Sequence, residues 1–194
     1  MKINALKLVT PLRFDVIIKY LYAQSIVKGY NCNFFLEAYK DHLWIWNKFN
    51  EYDNPNKKTF NDFNSAFINI INSLKRNGFD PKISKLPTFK NKYILNGSHR
   101  LAAALACDID VFIKNGAPIV DGQLDCSYKF FKKLGLGKKY FDLASLEYAK
   151  LQKNSFLIFI FPSAIGHCDE LENIILQNAD IFYQKKLKLN KIGS

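Results

Sequence analysis

Apolar residues recur at three- and four-residue intervals through the first 75 positions, and the pattern predicts three successive helices. In LRFDVIIKYLYAQSIV, residues 12–27, the spacing puts Phe14, Ile17, Ile18 and Leu21 on one helical face. Gly29-Tyr30-Asn31 breaks that helix. NFFLEAYKDHLWIWNKF, residues 33–49, aligns Phe35, Tyr39, Leu43 and Trp46 near one stripe, and the polar stretch NEYDNPNKKT closes it. The third helix has the clearest period: Phe60, Phe63, Phe67, Ile70, Ile71 and Leu74, stopped by Asn77-Gly78. Residues 3–9 read as a short strand ended by Thr10-Pro11.

Past Gly78 the period changes. FDPKISKLPTF reads as a connection, KYIL (92–95) as a strand, SHRLAAALACD (98–108) as a helix and IDVFIK (109–114) as a second strand. This compact strand–turn–helix–strand unit frames the stretch YILNGSHRLAAAL. In the last third, CSYKFFKKLGLG, YFDLASLEYAKLQ and CDELENIILQ read as helices, with SFLIFIFP and ADIFYQKKLKL as strands. The pattern predicts an α/β (α+β) fold. One domain over residues 1–194 is expected, with its core at about 60–120 and a helical layer added on the N-terminal side. The end at Lys191-Ile192-Gly193-Ser194, without a polar tail, is expected of a piece of a longer chain or of residues left by cloning.

Composition narrows the class. At 48% hydrophobic and 23% charged residues the chain can bury an ordinary core. No apolar run approaches the ~20 residues of a membrane span. Cys32, Cys107, Cys126 and Cys168 stand singly, which suits reduced thiols in a cytoplasm and argues against a zinc cluster or a disulfide framework. His42 and His167 have no partner at metal-ligand spacing, so no metal ligands are assigned. The net charge of +11 invites a nucleic-acid partner, but the lysines are scattered and a generally solvated basic surface is the favoured reading.

The chemistry concentrates at residues 96–100. A strand that turns sharply into a helix offers free backbone N–H groups and the positive end of a helix dipole. Asn96-Gly97-Ser98-His99-Arg100 adds a permissive glycine and two basic side chains, an arrangement suited to a phosphate. The alternative is an ordinary helix start, with Ser98 as the cap and Arg100 in a salt bridge.

NGSHRLAAAL, between KYIL and DIDVFI, resembles the Gly-x-His-Arg or Gly-x-Arg-Arg segment of the ParB/sulfiredoxin superfamily, over about residues 78–114. The resemblance implies a ParB/sulfiredoxin-like core and a turn that holds nucleotide phosphates. Gly97 and Asn96 would allow close approach, while His99, Arg100 and Ser98 would contact the transferring group. Sulfiredoxins carry their nucleophilic cysteine where this chain has Ser98, so sulfiredoxin chemistry is not expected. ParB proteins carry Glu-Arg-Arg after the glycine, and no helix-turn-helix follows here.

The free-serine kinases of the superfamily fit better. The implied ligands are ATP or ADP, with CTP a further candidate, and Mg²⁺. The implied reaction moves a phosphoryl group to a small hydroxyl-bearing metabolite such as serine. The base would be an upstream carboxylate, with Glu51, Asp62 and Asp80 available and none singled out. The rivals are a non-catalytic nucleotide-sensing or DNA-binding module, and a scaffold domain of a polysaccharide-assembly protein. LRFDVIIKYLYA resembles a segment of uncharacterised proteins from bacterial surface-polysaccharide clusters.

Two further groups carry alternatives. Arg13, Asp15 and Lys19 lie within two helical turns. Asp15 and Lys19 are either an exposed pair stabilising the helix, or Arg13 and Lys19 form a second grip on phosphate or substrate. Tyr39, Trp44 and Trp46 near His42 either pack between core and surface, the commoner case, or stack on a base or sugar.

Overall fold

The computed structural model describes residues 1–30, 33–51, 54, 56–116, 125–152, 168–178 and 183. Helices dominate: α1 (Phe14–Lys28), α2 (Asn33–Asn47), α3 (Phe60–Asn77), α4 (Ser98–Ala106), α5 (Tyr128–Lys133), α6 (Lys138–Leu151) and α7 (Cys168–Asn178). Four short strands complete the mixed fold: β1 (Lys2–Ile3), β2 (Leu86–Phe89), β3 (Tyr93–Ile94) and β4 (Val111–Asn115). They form one sheet in the order β1-β4-β2-β3. β2 and β3 make an antiparallel hairpin, β2 runs parallel to β4, and β1 lies antiparallel on the far edge of β4. The connection from the hairpin to β4 is α4, the crossover that a parallel pair requires.

The three N-terminal helices form as their periodicity predicts. α3 buries Phe63, Phe67, Ile71 and Leu74 and starts at a capping box between Thr59 and Asp62. α1 departs from the single-stripe expectation, because every residue from Phe14 to Ala23 is buried. It lies at the centre of the molecule, packed against α2, α3, α4 and α6. Asp15 and Lys19 are therefore interior, both 0% exposed, and the reading of this pair as an exposed helix-stabilising bridge is corrected. α4, which packs against both α1 and α3, is buried all round over Leu101, Ala102, Ala103 and Ala104. Such small side chains let two helix backbones approach closely.

The sheet holds two departures. The strand expected over residues 3–9 is only Lys2–Ile3, because the chain turns into a 3₁₀ helix at Ala5–Leu8, capped by Asn4 and burying Ala5 and Leu8. The strand Leu86–Phe89 falls in a stretch read as a connection, since Pro87 argues against an interior strand. It nevertheless sits between β4 and β3, so the strand entering the turn is an edge strand and β4's parallel neighbour is β2. α5, α6 and α7 fall where helices are expected. The expected strands at 155–162 and 179–189 lie outside the described residues, apart from Tyr183.

Candidate functional site

The turn between β3 and α4 is fixed by a glycine that cannot be replaced without strain. Gly97 has φ 90° and ψ 29°, the left-handed region. A Cβ there would lie 2.7 Å from both Leu86 Cδ2 and Arg100 Nη2. Gly97 is the N-cap and offers no side-chain cap, while the first helical bond runs from Leu101 N–H to the Gly97 carbonyl. The N–H groups of the opening turn of α4 have no partner within the helix.

The next three side chains leave the helix about 100° apart, and here they turn to three different neighbours. Ser98 points to α1, where its Oγ accepts a 2.8 Å hydrogen bond from Lys19 Nζ. It is the first helical residue rather than the cap. His99 points between α2 and α3. Its ring lies edge-on to Phe67 at 4.8 Å, and its Nε2 is 3.0 Å from the Tyr39 hydroxyl. Burial, then the charge of Lys19, holds its pKa well below the usual histidine range. Arg100 lies beneath Gly97 and donates from Nη1 to Ser84 Oγ at 2.6 Å. No carboxylate pairs with it among the described residues.

Behind Ser98 stands a buried charge cluster. Arg13 donates from Nε and Nη2 to the two oxygens of Asp15, each at 2.8 Å, and from Nη1 to the Ile94 carbonyl at 2.7 Å. Lys19 donates to Asp15 Oδ2 at 2.9 Å and to Ser98. Arg13, Asp15, Lys19 and Ser98 are 3%, 0%, 0% and 7% exposed. Burial on its own would raise the Asp15 pKa, but Arg13 and Lys19 outweigh it and hold the carboxyl ionised. Burial lowers the Lys19 pKa and Asp15 opposes the shift. Two cations thus share one carboxylate in the interior, an excess of positive charge that low-polarity surroundings make costly.

A cavity of about 200 Å³ opens at this point, bounded by Arg13, Trp46, Cys126 and the turn residues Leu95, Asn96, Gly97 and Ser98. Arg13 and Ser98 belong both to its wall and to the buried cluster, and the N-terminus of α4 faces the same space. Of the expected site residues, Asn96, Gly97, Ser98 and Arg13 line this cavity. Lys19 stands behind it and reaches it through Ser98, and His99 and Arg100 also lie outside the lining. Cys126 had no sequence signal. It reaches the cavity because its backbone pairs with Leu12 and Phe14 on either side of Arg13. Burial pushes its thiol up to about 12, so it is a packing group rather than a thiolate.

The aromatic stretch of α2 divides. Tyr39 is buried and stacked on Tyr22 at 5.1 Å, whereas Trp46 is 40% exposed at the cavity wall with Lys19 Nζ 4.9 Å from its ring centroid. His42 is fully buried between Phe131 and Trp46, and neither ring nitrogen has a hydrogen-bond partner among the described residues. The three carboxylates considered as bases are engaged elsewhere: Glu51 with Lys57, Asp62 in the cap of α3, and Asp80 in its own turn to the Lys82 N–H. No group of three or more His, Cys, Asp or Glu that could hold a metal occurs among the described residues. His167 and Cys32 lie outside them. No helix among the described residues is long and apolar enough to cross a membrane.

Comparison of the chain with protein-family models, with curated proteins and with solved structures returned no match.

Proposed function

We propose that this protein binds a nucleotide through its phosphates in the cavity at the N-terminus of α4, and that phosphoryl transfer to a small hydroxyl-bearing acceptor is the chemistry the site serves. The observation that carries the reading is the unbalanced cluster: among the described residues Arg13 and Lys19 share Asp15 alone, and Arg13 borders the cavity. An anion there would supply the missing negative charge and meet the free N–H groups of the helix. The resemblance of NGSHRLAAAL to the phosphate turn of ParB/sulfiredoxin proteins supports the same placement. In this reading α3, β2, β3, α4 and β4, within residues 60–120, make the ParB/sulfiredoxin-like core, and α1 and α2 are the added layer.

Arg13 and the amides of α4 would hold phosphate oxygens, Ser98 would be kept in position by Lys19, and Arg100 would brace the glycine from beneath. The cavity is smaller than the ~300 Å³ at which whole-ligand pockets begin, so it suits the phosphate end and not the full nucleotide. Among the described residues its lining contains no carboxylate, so Mg²⁺ would be held by the nucleotide's own oxygens and water. The engagement of Glu51, Asp62 and Asp80 elsewhere favours a second reading, a nucleotide-sensing module that binds without turnover. A DNA-binding role rests on the +11 charge alone.

Calorimetric titration with ATP, ADP, CTP and GTP plus Mg²⁺ tests the site. Binding in the wild type that weakens at least tenfold in Lys19→Met supports it. Absence of binding at millimolar nucleotide would overturn it. Labelled γ-phosphate appearing in serine or another hydroxyl acceptor would assign a kinase, and stable binding without product would assign a sensor. Binding to duplex DNA that falls steeply with salt would favour the DNA-binding rival.

A further inference from the structure

We propose that Trp46 is the stacking surface for the base of the bound nucleotide, so that the site recognises nucleoside phosphates rather than phosphate as such. The proposal rests on the reading of the cavity as a phosphate site. Four observations lead to it. Among the described residues Trp46 is the one aromatic in the cavity lining, where it stands with Arg13 and Gly97. The cavity is too small for a whole nucleotide, so a base would have to lie on the rim, against a wall residue.

The ring is also held in a fixed attitude. Lys19 Nζ lies over it 4.9 Å from the centroid, His42 packs at 5.7 Å, and Phe131 meets it at 6.3 Å with the planes 89° apart. Trp46 is nevertheless 40% exposed. A large aromatic side chain that is rigid and only partly covered binds a flat partner with little loss of side-chain freedom.

Trp44 is the internal contrast. It is 50% exposed, but it packs on Phe49 and beneath Lys48, and it contributes nothing to the cavity. Stacking on an aromatic side chain is sequence-tolerant, because every base has a π-face. The inferred selectivity is therefore for a base over none, with modest discrimination among bases.

The chain has two tryptophans, so Trp44→Phe leaves Trp46 as the sole reporter. Fluorescence titrations of that protein would compare ADP, pyrophosphate and ribose 5-phosphate. The expected result is that ADP quenches Trp46 and binds about tenfold or more tighter than the other two. In Trp46→Leu, ADP binding measured by calorimetry should fall to the pyrophosphate level while pyrophosphate is unaffected. Trp46→Phe, which keeps a flat ring, should retain most of the preference.

Equal binding of ADP and pyrophosphate, unchanged in Trp46→Leu, would overturn base stacking and leave the phosphate site standing. Ribose 5-phosphate binding as tightly as ADP would replace the base by the sugar and overturn the proposal as stated. Failure of all three ligands to bind would remove the phosphate site and this inference together.

Discussion

Lys19 and Arg100 are both cations that reach the turn at Gly97, but they do so under opposite physical conditions. Lys19 comes from the middle of α1, fully buried, and shares Asp15 with Arg13 while holding Ser98. Arg100 belongs to α4 itself, is partly exposed, and is satisfied by one neutral hydroxyl, Ser84. A half-exposed arginine on a serine costs the fold little and can be read as structure alone. An interior cluster with more cations than carboxylates destabilises the fold unless something offsets its charge, which ties it to the cavity it borders. A sequence motif draws the eye to Arg100, whereas the energetics point to Arg13 and Lys19.

The largest effect should come from breaking the buried cluster on its acidic side. Asp15→Asn removes the one carboxylate that Arg13 and Lys19 share among the described residues and leaves two buried cations without it. A loss of about 3–5 kcal/mol in urea unfolding is expected. Lys19→Met fills the same space with an apolar chain, leaves a neutral Arg13–Asp15 pair, and should cost clearly less. If the two variants lose equal stability, the excess positive charge is not the dominant feature of the cluster.

Gly97 comes next. Gly97→Ala forces a side chain onto a residue with φ 90°, with Leu86 and Arg100 atoms only 2.7 Å from the new carbon. A cost of about 1–3 kcal/mol is expected from the backbone alone, and more if β2 does not yield. Thermal or urea unfolding reads it directly. An unchanged midpoint would mean that the turn is free to rearrange, and a pre-formed anion cradle would lose its basis.

The contrast between the two cations also explains what was legible in the sequence. The helices were, because α3 repeats Phe63, Phe67 and Ile71 on one face and ends at Gly78. The turn was, because Asn-Gly between an apolar run and an alanine-rich helix is a local signal. The interior position of Asp15 and Lys19 was not. Their four-residue spacing is the same on an exposed helix and a buried one, and only the packing of α1 on all sides decides between them. β2 escaped because Pro87 contradicts a strand locally, although the neighbouring strands impose one. Adjacency in sequence likewise suggested that Ser98, His99 and Arg100 act together, while helical geometry sends them to three neighbours.

The two histidines near the site give a smaller effect confined to one pH window. Burial, then the charge of Lys19, depresses both His42 and His99 below the ordinary value of 6.5, so both are neutral in the fold. Below about pH 6.5 the unfolded chain binds protons that the folded chain does not, and stability falls with pH by up to about 1.4 kcal/mol per unit for each. Above that pH their contribution is complete. Asp15 acts in a separate window, because its depressed pKa preserves stability until the pH falls below about 3.9. Urea midpoints should therefore hold between pH 8 and 7, decline from 6.5 to 5, and drop again in acid. His42→Leu should flatten the first decline, and a first decline unchanged in that variant would assign it to His99.

Arg100 yields the smallest expected change in stability and the sharpest test of the comparison. Its contact with Ser84 is a single, part-buried charge-assisted hydrogen bond, so Arg100→Ala and Ser84→Ala should each cost about 1 kcal/mol. If Arg13 and the amides of α4 hold the phosphate, with Lys19 behind them supplying charge and positioning Ser98, Ser84→Ala leaves nucleotide affinity unchanged. Arg100→Ala then weakens it less than Lys19→Met does, because Arg100 acts only by bracing Gly97. If Arg100→Ala abolishes binding while Lys19→Met retains it, the phosphate lies on the Arg100 side of the glycine. The buried cluster would then be a structural feature, and the motif would have marked the ligand more faithfully than the charge did.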